Sequence, residues 1–459
     1  MTSNATSERV DLLLRDAELL VTMTGSEIAG GWVAVSNGVI AAVGARGEEP
    51  EASRVLSASG CLVTPGLISA HHHMFQNLTR AFGPALNRPL LEWARTGGEM
   101  WVRLDEESAF VSAWIGLAEL ALGGCTTTTD DLYAHPRPNL IDASIAAARE
   151  VGLRFNPTRG AIAVGEDAGT GQIFRGVMIQ DPDVILADTE RLIKTYHDPS
   201  PTSMVRIACG PSGGAVATPG LMEAAAELAE RYDVRLTTHV SQEPTEEEWY
   251  LEYFGLKPID WLESVGWATS RSWIAHCIFV NEDEISRLAR WGTGVAHCPT
   301  TCCLVAGGVT PFTEMRSHGV AVGLSVDGTG CEHSSMWLEA HTALLLGRLR
   351  AGPSGMSARD ALDMGTTGSA RCLGREGELG VLTPGACGDL VAWPLEGIAF
   401  AGAWSDPVEA WLRCGPVSAR HTVVAGKPVV VNGELQLPNL DEMLKRHDEI
   451  SREWQGAYV

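Results

Sequence analysis

Residues 66–80 read GLISAHHHMFQNLTR, a short apolar run that follows Pro65 and ends in three consecutive histidines. Side chains alternate across a strand, so His71 and His73 share one face and His72 takes the other. Two imidazoles on one face can share a cation, yet a solvated loop would show the same three letters. The rest of the chain decides between the two by supplying partners or withholding them.

Seven further runs have the same build: GCTTTTDDL (124–132), RFNPTRGA (154–161), MVRIACGPS (204–212), VRLTTHVS (234–241), SWIAHCI (272–278), GVAHCPT (294–300) and VAVGLSVDG (320–328). Helical patterns lie between them, such as GLMEAAAELAERY (220–232) and DEISRLARWG (283–292). Eight successive βα units predict an α/β fold, a closed (β/α)8 barrel of the TIM type. A doubly wound open sheet is the alternative, weakened by the absence of GxGxxG after a first strand. Residues 10–64 are short strand runs with Gly, Asn and Ser turns. The tail resumes that style, with hairpin-like turns in AGKP (425–428) and NGE (432–434). Both ends are therefore expected to build one small β-sandwich: residues 1–64, and 381–459 with a C-terminal helix, around a barrel spanning 65–380.

Barrel chemistry sits at the C-terminal ends of the strands. Those ends carry His71–His73, Asp130, Asp131, Arg159, His239, His276, His297 and Asp327. A lone histidine is more often a hydrogen-bonded core residue than a ligand, and Asp327 before Gly328 also reads as a turn. Their joint placement favours a metal. Imidazoles with one carboxylate suit a single borderline divalent ion, zinc first, with iron or cobalt as options. An open position on such an ion would make hydroxide available near neutral pH. There is no HExxH, GxSxG or PCxxC pattern.

The net charge of −23 disfavours nucleic acid and anionic membranes as partners. No apolar stretch approaches membrane-spanning length. Eleven cysteines without a CxxC pair fit reduced thiols in a cytoplasmic protein. A small-molecule substrate is the expected partner.

The HxH after TPGLISA, a histidine on each of the fifth and sixth strands and an aspartate after the eighth resemble the amidohydrolase superfamily. VLTPGACGDLVAW (381–393) is similar to the β-sandwich segments of that group. Within it the chain resembles the aminohydrolase and chlorohydrolase branch, which includes 8-oxoguanine deaminases and s-triazine hydrolases. The resemblance rests on LTRAFGPALNRPLLEW (78–93), NPTRGAIA (156–163), DPDVILADTERLIKTYH (181–197) and HCPTT (297–301). It implies that His71, His73, His239 and Asp327 hold one metal. His276 would orient the attacking water or polarise the substrate, and Asp327 would accept the proton. It also implies a homodimer or higher homo-oligomer; the 14 tryptophans offer interface anchors, though core packing accounts for most of them. No lysine ends IACGPSGG (207–214), so a carbamylated bridge between two metals is not expected.

Three departures bear on the reaction. The deaminases of this branch carry a glutamate three residues after the fifth-strand histidine, as in HLAE. This chain has HVSQEP, with Gln242 there and Glu243 next to it. An amide cannot act as a general acid. HCPTTCC (297–303) and VDGTGCEHSSMW (326–337) also depart from the family pattern, which suggests a more apolar, thiol-lined pocket. Candidates for substrate contact are Gln76, Trp93, Gln242, Glu243, His297, Cys302 and Cys303. The first expectation is therefore hydrolysis of a urea, amide or carbamate, such as a phenylurea or thiocarbamate, which needs no ring protonation. The alternative is deamination of an aromatic heterocycle: 8-oxoguanine, isoxanthopterin or an s-triazine.

Overall fold

All eight runs form strands: β1 Leu67–Ser69, β2 Cys125–Leu132, β3 Arg154–Ala161, β4 Ala208–Pro211, β5 Arg235–Val240, β6 Ser272–His276, β7 Gly294–His297 and β8 Val322–Leu324. They are neighbours in chain order and every pair is parallel. The computed structural model describes residues 9–164, 174, 176–328 and 333–456. β2 and β3 are buried along their whole length, as parallel strands covered on both faces must be. Helices that follow the strands carry their own start signals. Asn281 and Glu284 exchange side-chain and backbone hydrogen bonds in a capping box, and Thr218 caps the helix Pro219–Tyr232.

The barrel closes between β8 and β1. Ala70 donates its N–H to the Leu324 carbonyl at 3.0 Å, and Asp327 donates to the His71 carbonyl at 3.0 Å. Beyond these bonds His72–His73 pairs in parallel with Asp327–Gly328. This seam sets the histidine run and Asp327, which are far apart in sequence, side by side.

Both chain ends build the β domain. One sheet orders its strands 39–44, 32–36, 10–15 and 52–57; the other runs from 434–435 through 427–431, 421–424 and 390–394 to 61–65, 19–21 and 27–29. The pairing of 390–394 with 61–65 is antiparallel and joins late chain to early chain. Leu12, Leu14, Val33, Val35 and Ile40 of the first sheet pack with Val63, Leu390 and Val423 of the second. Barrel and β domain are tied by Arg154, the first residue of β3. Its guanidinium makes two bonds to the Asp389 carboxylate, at 2.7 and 3.0 Å, with both side chains buried. The remaining Arg154 nitrogen reaches the Thr202 and Ser203 carbonyls, so the pair is fully hydrogen-bonded.

Three helices matter for the site: α1 Leu90–Trp101, α2 Glu246–Phe254 and α3 Leu440–Gln455. α1 and α2 flank the mouth of the barrel. α3 packs on residues 74–79, directly after His73; His447 donates from Nε2 to Asn77 Oδ1 at 2.9 Å, and Gln455 donates to the Leu78 carbonyl at 2.9 Å. No helix among the described residues is long and apolar enough to cross a membrane.

Candidate metal centre

Strand ends deliver the ligands as the alternation requires. His71 and His73 both turn toward Asp327, each with Nε2 at 3.3 Å from Oδ1. His73 Nε2 lies 3.2 Å from His239 Nε2. His72 points away and meets the Ser334 hydroxyl at 3.2 Å. Ligand atoms held at about 2.0–2.1 Å in a tetrahedron stand roughly 3.3 Å apart, which these separations reproduce. His276 stands further out, with Nε2 4.0 Å from Asp327 Oδ2. Buried nitrogens without a hydrogen-bond partner converge here: His71 Nε2 and both ring nitrogens of His276. Orphaned buried nitrogens are costly unless something fills the space between them. The four-ligand set with one open side fits a single divalent ion.

Electrostatics agree. Burial pushes the Asp327 carboxyl up, but the charge of His276 and the bonds from His71 and His73 outweigh it and hold the group well below the carboxylate range. Burial lowers His276 to about 4, and it holds His239 well below the ordinary histidine range. For His73, burial acts downward, but its bond to Asp327 and the charges of Asp327 and Asp131 raise it to about 9. An ionised aspartate among histidines is the donor set a cation binds, the cation replacing the proton. His276 and Asp327 both adopt left-handed backbone, at φ 75° and 62°. Such conformations cost non-glycine residues about 1–3 kcal/mol each and concentrate at functional sites.

A cavity of about 510 Å3 opens from this centre. His73, His239 and Asp327 form its floor, and Gln76, Trp93, Gln242 and Glu243 are among its walls. Gln76 donates to the Tyr133 hydroxyl at 2.9 Å, while its Oε1 is buried and unpartnered, an acceptor left for a ligand N–H. Gly328 makes room for it: a Cβ there would lie 2.2 Å from that oxygen.

Alternation along β5 would point only one of Gln242 and Glu243 inward. Both reach the cavity because the chain leaves the strand at Ser241, with φ 55°, and turns. The turn is held by Glu246, a residue the sequence does not single out. Its carboxylate accepts the N–H groups of Ser241, Gln242 and Glu243 at 2.9, 2.7 and 3.4 Å. Burial pushes Glu246 up to about 7 against those three bonds. Burial alone raises Glu243, which is half-buried in the cavity wall.

Other expected contacts lie elsewhere. His297 is buried at the end of β7, stacked on Phe312 and outside the cavity wall. Cys302 is buried with Ile278 and Cys298, and Cys303 is exposed. The short helix Pro299–Leu304 presents Thr301 to the cavity instead, with Val305 just beyond it. Trp337 is turned away and donates to the Trp411 carbonyl. Among the described residues the wall is therefore aromatic and amide-bearing and holds no thiol; residues 329–332 of the VDGTGCEHSSMW stretch, Cys331 included, lie outside the described residues. Asp130 accepts the Met74 N–H at 2.9 Å, and Arg159 pairs with Asp188 at 2.9 Å, so both are spent on structure. Sequence reasoning also passed over Tyr133, Phe174 and Trp249, which complete the aromatic wall.

The Amidohydrolase family pattern matches residues 62–429. The 8-oxoguanine deaminase of Pseudomonas aeruginosa is 39% identical over 439 residues, covering 95% of this chain and 97% of the relative. Hydroxydechloroatrazine ethylaminohydrolase of Pseudomonas sp. strain ADP is 35% identical over 461 residues, covering 98% and 90%. Among solved structures, atrazine chlorohydrolase TrzN from Arthrobacter aurescens TC1 complexed with zinc superposes with a TM-score of 0.91 at 30% identity, covering 96% of this chain and 100% of that one. Fold, donor set and relatives lead to one assignment: the chain belongs to the amidohydrolase family, in its aminohydrolase and chlorohydrolase branch, as a metal-dependent hydrolase of carbon–nitrogen bonds.

Proposed function

We propose that the protein hydrolytically deaminates an aromatic nitrogen heterocycle of the purine, pterin or s-triazine class, with zinc as its ion. Relatives named as deaminases and as an s-triazine aminohydrolase support this second of the two expectations over a urea or thiocarbamate substrate. The observation that carries it is Glu243: a carboxyl raised by burial in the wall of the cavity that the histidine–aspartate centre floors, where Gln242 cannot donate an acidic proton.

His71, His73, His239 and Asp327 would hold the ion, which when bound brings the pKa of a water down to about 7. Asp327 Oδ2 and His276 Nε2 face each other at 4.0 Å and take the proton of the attacking water between them. Glu243 protonates a ring nitrogen, which makes the adjacent ring carbon electrophilic. Gln76 Oε1 accepts an N–H of the ring and sets its orientation. The proton taken from the water passes from Asp327 or His276 to the exocyclic nitrogen as its C–N bond breaks, so that ammonia or an amine leaves, and the ring nitrogen returns its proton to Glu243 to give the hydroxylated or oxo heterocycle.

The test is product identification by mass spectrometry after incubating zinc-loaded protein with 8-oxoguanine, isoxanthopterin, two amino-s-triazines, a phenylurea and a thiocarbamate. Conversion of a heterocycle to its oxo product is the expected result. Release of an aniline or secondary amine from the last two, with every heterocycle intact, would overturn the proposal in favour of carbonyl hydrolysis.

A further inference from the structure

Asp131, the seventh residue of β2, is not among the ligands inferred above, yet it touches two of them. Its backbone carbonyl accepts from His73 Nδ1 at 2.7 Å. Its carboxylate Oδ2 lies 3.8 Å from His239 Nδ1. That nitrogen is buried and has no hydrogen-bond partner.

The carboxylate is held in place from its other side. Thr158 donates to Oδ1 at 3.0 Å. Position 160 has to be glycine, since a Cβ there would lie 2.3 Å from Oδ1 and 2.7 Å from both the Leu132 carbonyl oxygen and Tyr133 Cα. The Thr158 hydroxyl thus fixes the carboxylate, and the bare strand at Gly160 leaves room for it.

Two four-donor groups result: His71, His73, Asp131 and His239 on one side, and His71, His239, His276 and Asp327 on the other. They share His71 and His239. An imidazole nitrogen has one lone pair to give, so the two groups describe one ion with two flanking carboxylates, not two ions. His73 and His239 turn Nε2 toward each other, which leaves Nδ1 of each to carry the proton. His73 places its proton on the carbonyl of residue 131; His239 Nδ1 has no hydrogen-bond partner, and the same residue's carboxylate lies 3.8 Å away.

We propose that Asp131 is a positioning residue that accepts the Nδ1–H of His239 in the loaded site and so sets zinc affinity. The separation of 3.8 Å is too long for a hydrogen bond, so the pair has to close when His239 coordinates. A carboxylate behind a metal-bound histidine fixes its tautomer and ring angle and makes it a stronger donor. Losing such a partner typically weakens metal binding by about 10–100-fold. The inference rests on the metal assignment and not on the substrate, so it stands or falls separately from the deaminase reading.

The experiment measures the zinc Kd of the full chain by competition with a chromophoric chelator. Wild type is compared with Asp131→Asn, Asp131→Ala and Thr158→Val. Asp131→Ala is expected to weaken zinc by about 10–100-fold. Asp131→Asn should fall between it and wild type, because an amide oxygen is a weaker acceptor. Thr158→Val keeps the carboxylate but frees it, and should weaken zinc less than Asp131→Ala. The Tm of the chelator-treated proteins separates folding from binding, and the visible spectrum of the cobalt-substituted proteins reports the ligand field, which a purely structural residue would leave alone. Wild-type zinc affinity and an unchanged cobalt spectrum in the Asp131 variants would overturn the proposal. If those variants do not fold, an unchanged zinc Kd in Thr158→Val would do so.

Discussion

Three residues beyond His239 stands an amide, so the proton that a heterocycle needs has to come from Glu243. Changing Glu243 to Gln should lower kcat by about 10²–10⁴ on the heterocycle the protein accepts, measured by steady-state kinetics. Adding Gln242→Glu to that variant should recover part of the loss, because the acid returns one position away. Glu246 acts behind both. With Glu246→Ala, the N–H groups of Ser241, Gln242 and Glu243 lose their shared acceptor. An unsatisfied buried donor costs about 1–3 kcal/mol. Both kcat and the denaturant midpoint should fall, with Glu246→Gln milder because its amide oxygen still accepts. Replacing the ligand His239 by Ala should leave less than one zinc per chain by elemental analysis. Treating wild type with a strong chelator should abolish turnover until zinc is returned.

At the scale of elements, the eight runs are legible because each couples a short buried strand to a helix, and the spacing of His71 and His73 carries its own geometry. The seam between β1 and β8 is legible only through the fold, since no local pattern links His71 to Asp327. Gln242 and Glu243 show where local rules fail. Strand alternation predicts one inward side chain, but the turn at Ser241 makes two, and that turn depends on a carboxylate hidden in the acidic run PTEEE (244–248). Composition cannot tell which of those glutamates turns back to accept the N–H groups of 241–243. The cysteine pair, expected to line the pocket, fails for a related reason: a helical segment at 299–304 turns Cys302 behind the wall and Cys303 to the outside. The Arg154–Asp389 tie between β3 and the β domain belongs to this scale too. Asp389→Ala should destabilise by about 3–5 kcal/mol, because a buried guanidinium is left unpaired. Replacing both partners by apolar residues of similar volume should recover much of that in chemical denaturation.

The whole molecule responds to acid through its buried histidines. Burial, reinforced by the charge of Arg80, lowers His447 on α3 to about 4. An unfolded histidine takes its proton near 6.5, before the folded one does. The unfolded chain therefore binds more protons between those values, and stability present above pH 6.5 is lost as the pH falls toward 4. His297, lowered by burial to about 3, acts in the same direction. Glu246 acts in the opposite one, since a carboxyl raised to about 7 favours the fold at lower pH. The melting temperature should decline from pH 6.5 to pH 5, with a shallower slope in His447→Gln. A slope unchanged in that variant would place the acid sensitivity elsewhere. Because α3 braces residues 74–79 directly behind His73, the same variant should also bind zinc more weakly at pH 7.5 if that brace reaches the metal.

The strand at 61–65 has an early neighbour in 19–21, but its other edge is covered only when 390–394 exists. About 325 residues lie between them. A ribosome adding roughly 5–20 residues per second takes about 15–65 s to cover that distance. Throughout that interval the early strands keep this edge open to the cell. Translation speed and chaperone access over the central segment thus become part of how this enzyme reaches its working form. A pause near residue 380 should leave a nascent chain whose early strands are still open to protease, while release of the final segment should close them in one step.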